Sequence, residues 1–86
     1  MTDDRVTLYR ERIASVRDAY LAAQAELEER AARGITEDLV GLGALVSDAP
    51  QLFIEARWHR WLDARLQRLA QQYDRDAARI REEVGL

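Results

Sequence analysis

The first half of the chain carries apolar side chains at helical spacing. No glycine or proline occurs between residues 4 and 33, and the segment is rich in residues that favour helices. Its apolar positions recur at alternating intervals of three and four residues, which predicts a continuous seam along a helix over about 4–33. The seam positions are Val6, Tyr9, Ile13, Val16, Tyr20, Ala23 and Leu27.

The second half repeats this character after Pro50, and no further glycine or proline appears before Gly85. Its apolar spacings follow an 11-residue repeat, which predicts a long helix over about 49–84 with a nearly straight seam. The seam positions are Trp58, Leu62, Leu66, Leu69, Tyr73, Ala77, Ile80 and Val84.

A short apolar stretch separates the two long segments. Gly34 is suited to end the first helix, and Thr36 to cap a short connecting helix over about 36–46. Apolar residues cover much of this stretch's circumference, so we expect it to be well buried. A short connection makes the long helices antiparallel. The sequence therefore predicts an all-α fold, a long antiparallel helical hairpin with a short connecting helix, in a single domain of residues 1–86.

Large apolar side chains also lie away from the two seams. Each long helix extends about 45 Å at 1.5 Å per residue, so one shared seam leaves a second apolar surface on the hairpin. A homodimer that forms a bundle of four long helices would cover it, and we predict this state. The residues away from the seams are Leu8, Leu21, Phe53, Ile54 and Trp61.

Composition narrows the chemistry. The 86 residues include no cysteine, which excludes disulfides, zinc–thiolate sites and a cysteine nucleophile. The net charge of −3 argues against nonspecific binding of nucleic acid. The acidic N-terminal residues lack the apolar segment of a secretory signal, and no apolar run reaches the ~18 residues of a membrane span. We expect a soluble, cytoplasmic protein without a membrane partner, a cofactor or a bound metal.

Two polar residues are predicted to face inward on the second long helix. Glu55 and His59 lie one turn apart at the apolar stripe, and inward polar groups require a partner. We predict that Glu55 and His59 form a buried polar pair. A carboxylate and an imidazole at this spacing can also bind a metal ion, but di-iron bundles use Glu-x-x-His pairs, which this chain lacks. A general-base role for His59 has no nucleophile placed beside it.

The opposite face of the same helix is rich in arginine, the only basic residue type in the chain apart from one histidine. Arg57 and Arg65 each lie one turn from Trp61, which predicts stacking of guanidinium groups on the indole. Tryptophan and arginine are enriched in binding hot spots; the alternative is a solvated face in which the indole packs on arginine stems. We predict a partner-binding surface of Arg57, Trp61, Arg65, Arg68 and Arg75.

Three classes of function fit these features. We expect a non-enzymatic helical protein-interaction module, an adaptor, assembly factor, regulator or inhibitor that binds a larger protein. The alternative is a nucleic-acid-binding or transcription-regulating helical dimer, which would need a contiguous basic helix or a helix-turn-helix. The third is a small all-helical enzyme that binds an anionic substrate through arginines. In size and class the chain is similar to the all-helical chorismate mutases, but the lysine that family uses is missing here, so we expect no enzyme.

Overall fold

The protein is a hairpin of two long helices. In the computed structural model, α1 spans Asp4–Leu42 and α2 spans Asp48–Val84. The structure describes residues 4–42 and 48–86, with side chains in the second range from residue 51 onward. The helices pack antiparallel, because Arg12 lies beside Glu83 and Tyr20 lies beside Tyr73. The result is a rod of 67 × 15 × 14 Å, which confirms the predicted all-α hairpin.

Both predicted seams lie along the line where the helices meet. Every seam residue named from the sequence is buried or half-buried. Complete burial is rare, however, because each helix has only one neighbour. Within residues 4–42 and 51–86, the buried apolar side chains are Ala31, Ile54, Ile80 and Val84. The hairpin therefore has a contact line between its helices instead of an enclosed core.

In the described part of the predicted connecting helix, residues 36–42, no separate helix begins, since α1 does not end at Gly34 but continues to Leu42. Thr36 does not cap a new helix: its hydroxyl donates to the carbonyl oxygen of Ala32 at 3.1 Å, as in a helix interior. Gly34 is buried against the side chain of Trp58. The absence of a side chain at Gly34 leaves room for the indole ring and does not serve to end the helix. Residues 43–46 of the predicted connecting helix lie outside the described residues.

The predicted burial of this stretch is also wrong where it is described. Val40 is 73% exposed, and Leu39 and Leu42 are only half-buried. Only one side of α1 meets α2, so among the described residues no second helix covers the apolar side chains on the other sides of α1. Leu52 and Phe53 at the start of α2 are similarly exposed. The end of the rod near the connection therefore presents apolar side chains to solvent.

The far end of α2 is closed by a glycine in the left-handed conformation. Gly85 has a φ of 84°, and its N–H donates to the carbonyl oxygen of Glu82 at 3.1 Å. The N–H of Leu86 donates to the carbonyl oxygen of Arg81 at 3.0 Å. These two bonds form a Schellman motif, which satisfies carbonyl groups that the helix end would otherwise leave unpaired.

We predict that Gly34→Ala destabilises the protein although alanine is the better helix former. A Cβ at residue 34 would lie 2.3 Å from Cζ2 of Trp58, so the indole or the helix must move. Overpacking of this kind costs about 1–3 kcal/mol, against a gain of about 1 kcal/mol in helix propensity. Urea unfolding followed by circular dichroism, at one fixed protein concentration, measures the difference.

Gly41→Ala is the matched control, because a Cβ there meets no atom within 4 Å. This variant should be as stable as the wild type or more stable by up to about 1 kcal/mol. Equal stabilisation by both substitutions would contradict the close packing of Trp58 on Gly34.

Candidate functional site

Trp58 is the side chain that joins the two helices near the connection. Its indole packs closely against Gly34, and its Nε1 donates to Oδ2 of Asp38 at 2.8 Å. The guanidinium carbon of Arg30 lies 4.9 Å from the centre of the same indole. Residues 30, 34 and 38 are successive turns of one face of α1, so a single side chain of α2 contacts three turns of its neighbour. This contact fixes the relative position of the two helices along the rod.

The carboxylate of Asp38 accepts hydrogen bonds from two side chains of α2. Besides Trp58, Arg57 donates from Nη2 to the same oxygen, Oδ2, and forms an ion pair with it. The hydrogen bond from Trp58 lowers the pKa of Asp38 most; partial burial opposes this, and Arg57 and Arg30 lower the pKa further. Asp38 is therefore ionised at neutral pH and ties the α1 end of the contact to α2.

A second indole extends this contact along α2. Trp61 meets Trp58 edge to face, with ring centres 5.2 Å apart, and the guanidinium carbon of Arg65 lies 4.3 Å from the centre of Trp61. The predicted stacking of Arg65 on Trp61 is confirmed. The predicted stacking of Arg57 is wrong, because Arg57 pairs with Asp38. Trp61 is half-buried in this arrangement and is not an isolated exposed residue.

The remaining predicted partner-binding residues lie on the outward side of α2. Arg57, Arg68 and Arg75 are exposed, and their spacings of 11 and 7 residues keep them on one face of the helix. Two further exposed residues share this face, Phe53 one turn before Arg57 and Arg60 one turn after it. We call this surface the outer α2 face, and it comprises Phe53, Arg57, Arg60, Arg68 and Arg75.

Phe53 is the apolar part of the outer α2 face. Its side chain is 72% exposed, and with Ile54, Arg57 and Arg60 it lines a shallow pocket of about 180 Å³. The sequence places Phe53 away from the seam but does not connect it with the arginines. Arg60 was missed as well, although its spacing of three residues from Arg57 is a signal for the shared face. Ile54, which was expected away from the seam, is buried.

The predicted buried pair of Glu55 and His59 does not form. His59 is exposed, and Glu55 is half-buried and accepts a hydrogen bond at its Oε1 from Nε2 of Gln51 at 3.2 Å. The helical wheel placed both residues near the apolar stripe, but a single neighbouring helix covers only the centre of that stripe. Residues at the edge of the stripe stay in contact with water. Glu55 and His59 can therefore form hydrogen bonds with solvent and do not require each other as partners.

An open groove runs between the helices near the middle of the rod. It has a volume of about 200 Å³, and the rings of Tyr20 and Tyr73 meet in it with centres 5.1 Å apart. Asp76 lies at its polar edge, where Oδ1 accepts from Gln72 and Arg79, each at 2.9 Å. We call it the tyrosine groove, and its lining residues are Val16, Ala19, Tyr20, Leu69, Gln72, Tyr73 and Asp76.

The described ranges, 4–42 and 48–86, contain neither a cluster of metal ligands nor a membrane-spanning helix. No group of three or more potential metal ligands occurs there. Neither α1 nor α2 is long and apolar enough to cross a membrane. The side-chain arrangements found there are an interhelical contact centred on Trp58, an exposed basic face and an apolar groove.

Comparison with known proteins found nothing similar. No protein-family model matches the chain, and neither the curated proteins nor the solved structures that were searched include a match. The surfaces of the hairpin itself are therefore the basis for a function.

We predict that the carboxyl group of Asp38 titrates below its ordinary pKa of 3.8 in the folded protein. Because the native pKa lies below that of the unfolded chain, the ionised group stabilises the fold above about pH 3.8, and this contribution is lost as the pH falls through the native pKa. An NMR titration of the Asp38 side-chain carboxyl carbon measures the pKa directly.

Trp58→Phe removes the indole hydrogen bond, the largest cause of the lowered pKa of Asp38, and should move that pKa back towards 3.8. Trp61→Phe is the control, because Trp61 makes an edge-to-face contact with Trp58 and Asp38 takes its indole hydrogen bond from Trp58. An Asp38 titration unchanged by Trp58→Phe would disprove the assigned cause.

Proposed function

We propose that this protein is a non-enzymatic helical protein-interaction module that self-associates and binds a larger protein. The observation that carries the proposal is its exposed surface. The chain exposes 6628 Å², whereas a compact monomer of 9.9 kDa exposes about 5,200 Å². The excess of roughly 1,400 Å² comes with exposed large apolar side chains, a combination typical of proteins that work by contact with others.

The outer α2 face is the surface that we assign to the larger partner. Burial of an exposed phenylalanine contributes about 1.5–3 kcal/mol, so Phe53 is suited to be an anchor in an apolar pocket. The arginines that follow it extend over 18 residues, or about 27 Å of helix, and complement an acidic surface. We therefore expect a partner with an apolar pocket beside a row of carboxylates.

Trp61 and Arg65 are assigned a supporting part in this function. They lie at the edge of the outer α2 face and pack on Trp58, so they hold the neighbouring arginines on a rigid helix. We place the protein in the cytoplasm, which agrees with a chain that has no cysteine to oxidise.

A nucleic-acid ligand is the second candidate, because arginines in a row along a helix can contact successive phosphates. It has less support than a protein partner. Several arginines already pair with carboxylates, among them Arg12 with Glu83, Arg57 with Asp38 and Arg79 with Asp76. The net charge of the chain is also negative. No described feature favours the enzyme alternative.

Capture of partners from the native host, with the purified chain as bait and identification by mass spectrometry, tests the proposal. We expect one protein to be captured in the presence of nuclease, and its recovery to fall at least about tenfold with Phe53→Ser and with the pair Arg68→Glu and Arg75→Glu, since each anchor contributes about 1.4 kcal/mol or more.

Leu21→Ser and the pair Arg10→Glu and Arg17→Glu make comparable chemical changes at exposed positions of α1 and should leave recovery unchanged. Loss of capture with these controls as well would show that the outer α2 face is not the binding surface. Capture that disappears on nuclease treatment would favour nucleic acid over a protein partner.

A further inference from the structure

We propose that the tyrosine groove is the centre of a self-association interface, on which a second copy of this chain lies lengthwise. The proposal deepens the proposed function, since it rests on self-association and assigns the surface that carries it. Three features of the structure support it: the area that the hairpin leaves exposed, the position of the groove, and the charges around it.

The exposed area matches what a permanent dimer buries. The excess over a compact monomer, about 1,400 Å² per chain, exceeds the ~800 Å² that each partner contributes to a standard interface. Two chains together would bury about 2,800 Å², which is within the range of roughly 2,000–5,000 Å² for permanent homodimers. A larger partner at the outer α2 face alone would leave the other long side of the rod uncovered.

The groove lies near the middle of the rod, where a contact allows two copies of the hairpin to overlap over most of their length. It lies at residues 16–20 of α1 and 69–76 of α2, close to the middle of both helices. A two-fold axis through this position superposes most of the length of the two rods, which buries the largest area that the shape permits. A contact centred near either end of the rod would leave half of each copy uncovered.

The same side of the hairpin presents further contact residues at regular spacing. Positions 7 and 11 residues before and after a given helical residue return to the same face. Counted from Ala19 and from Gln72 in the groove, these positions define one continuous long side. Its residues are Leu8, Arg12, Glu26 and Arg30 on α1, and Trp61, Arg65, Arg79 and Glu83 on α2.

Charges on this long side suit a second copy, because both signs occur along it. In an antiparallel pair Arg12 of one copy lies level with Glu26 of the other; in a parallel pair Glu26 lies level with Arg65. The long side and the outer α2 face each carry four arginines, but the long side also carries Glu26 and Glu83, of which Glu83 pairs with Arg12 within the chain. The five residues that define the outer α2 face include no acidic residue, so two copies of that face would repel each other. The exposed Leu8 and the half-buried Trp61 supply apolar area beyond the groove.

The pair Ala19→Arg and Ala25→Arg tests the interface. Both residues are exposed on α1 and the chemical change is identical, but Ala25 lies six residues on, about 240° around the helix and away from the groove. The wild type and Ala25→Arg should show about twice the monomer mass by light scattering. Ala19→Arg should weaken the dimer by at least about tenfold, because the arginine would occupy the groove and place an additional positive charge in the interface.

Single-cysteine variants give a second measurement, which does not require the dimer to be disrupted. Because the chain has no cysteine of its own, each variant carries one labelling site. In Ala19→Cys, the rate of thiol labelling by a maleimide should fall at least about tenfold as the protein concentration is raised through the dimer range. In Ala25→Cys the rate should stay constant.

A monomeric wild type, or equal effects at residues 19 and 25, would overturn the interface. A dimer protected at residue 25 and not at residue 19 would overturn this choice of surface and leave self-association standing. Neither result depends on partner capture, so failure of the outer α2 face in the capture experiment would leave the groove interface intact.

Discussion

Two long helices share one line of contact, and this constraint determines most of what the hairpin presents to solvent. A helix with a single neighbour can bury only the centre of its apolar stripe, so seam residues such as Tyr20 and Leu66 stay half-buried. Lengthening the rod adds buried contact area and exposed area in the same proportion. The fraction of surface that is buried therefore does not approach that of a globular domain. Stability must therefore come from a few strong local contacts along the seam or from association with another chain.

Trp58 is the strongest of the local contacts. Its ring uses the space left by Gly34, its indole N–H donates a hydrogen bond to Asp38, and the guanidinium group of Arg30 lies over the same ring. Arg12 and Glu83 make a second interhelical link near the opposite end, but both side chains are about half exposed, so that pair is worth less than about 1 kcal/mol. The helices are thus joined near the connection by Trp58 and its partners, and towards the open end by the buried Ile80 and Val84 together with the Arg12–Glu83 pair.

The seams could be predicted from the sequence because helical period is a local property, visible in the spacing of Val6 to Leu27 without knowledge of the fold. The role of Gly34 could not, because it depends on a residue 24 positions later. A glycine after an arginine-rich turn usually ends a helix, and only the presence of Trp58 opposite makes it an interior position. The error moved Asp38 onto a different predicted helix, so its pairing with Arg57 and Trp58 could not be anticipated.

The outer α2 face could be predicted only in part, because helical spacing is visible in the sequence but the position of the neighbouring helix is not. Spacing alone groups Arg57, Arg68 and Arg75 on one face, and the structure leaves all three exposed. Which aromatic residue accompanies them depends on where the second helix lies: Trp61 turns towards Trp58, and Phe53 remains in solvent. The burial expected of Glu55 and His59 assumed a wider apolar interface than one neighbouring helix provides.

We propose two adjoining surfaces, the basic outer α2 face for a larger protein and the groove side for a second copy, which meet at Trp61 and Arg65. The most direct test of the underlying claim, that one seam is too little for a stable solitary hairpin, is the urea midpoint of unfolding measured over a hundredfold range of protein concentration. If association supplies the missing burial, the midpoint rises steadily with concentration. One cooperative transition with the same midpoint at every concentration would contradict the account.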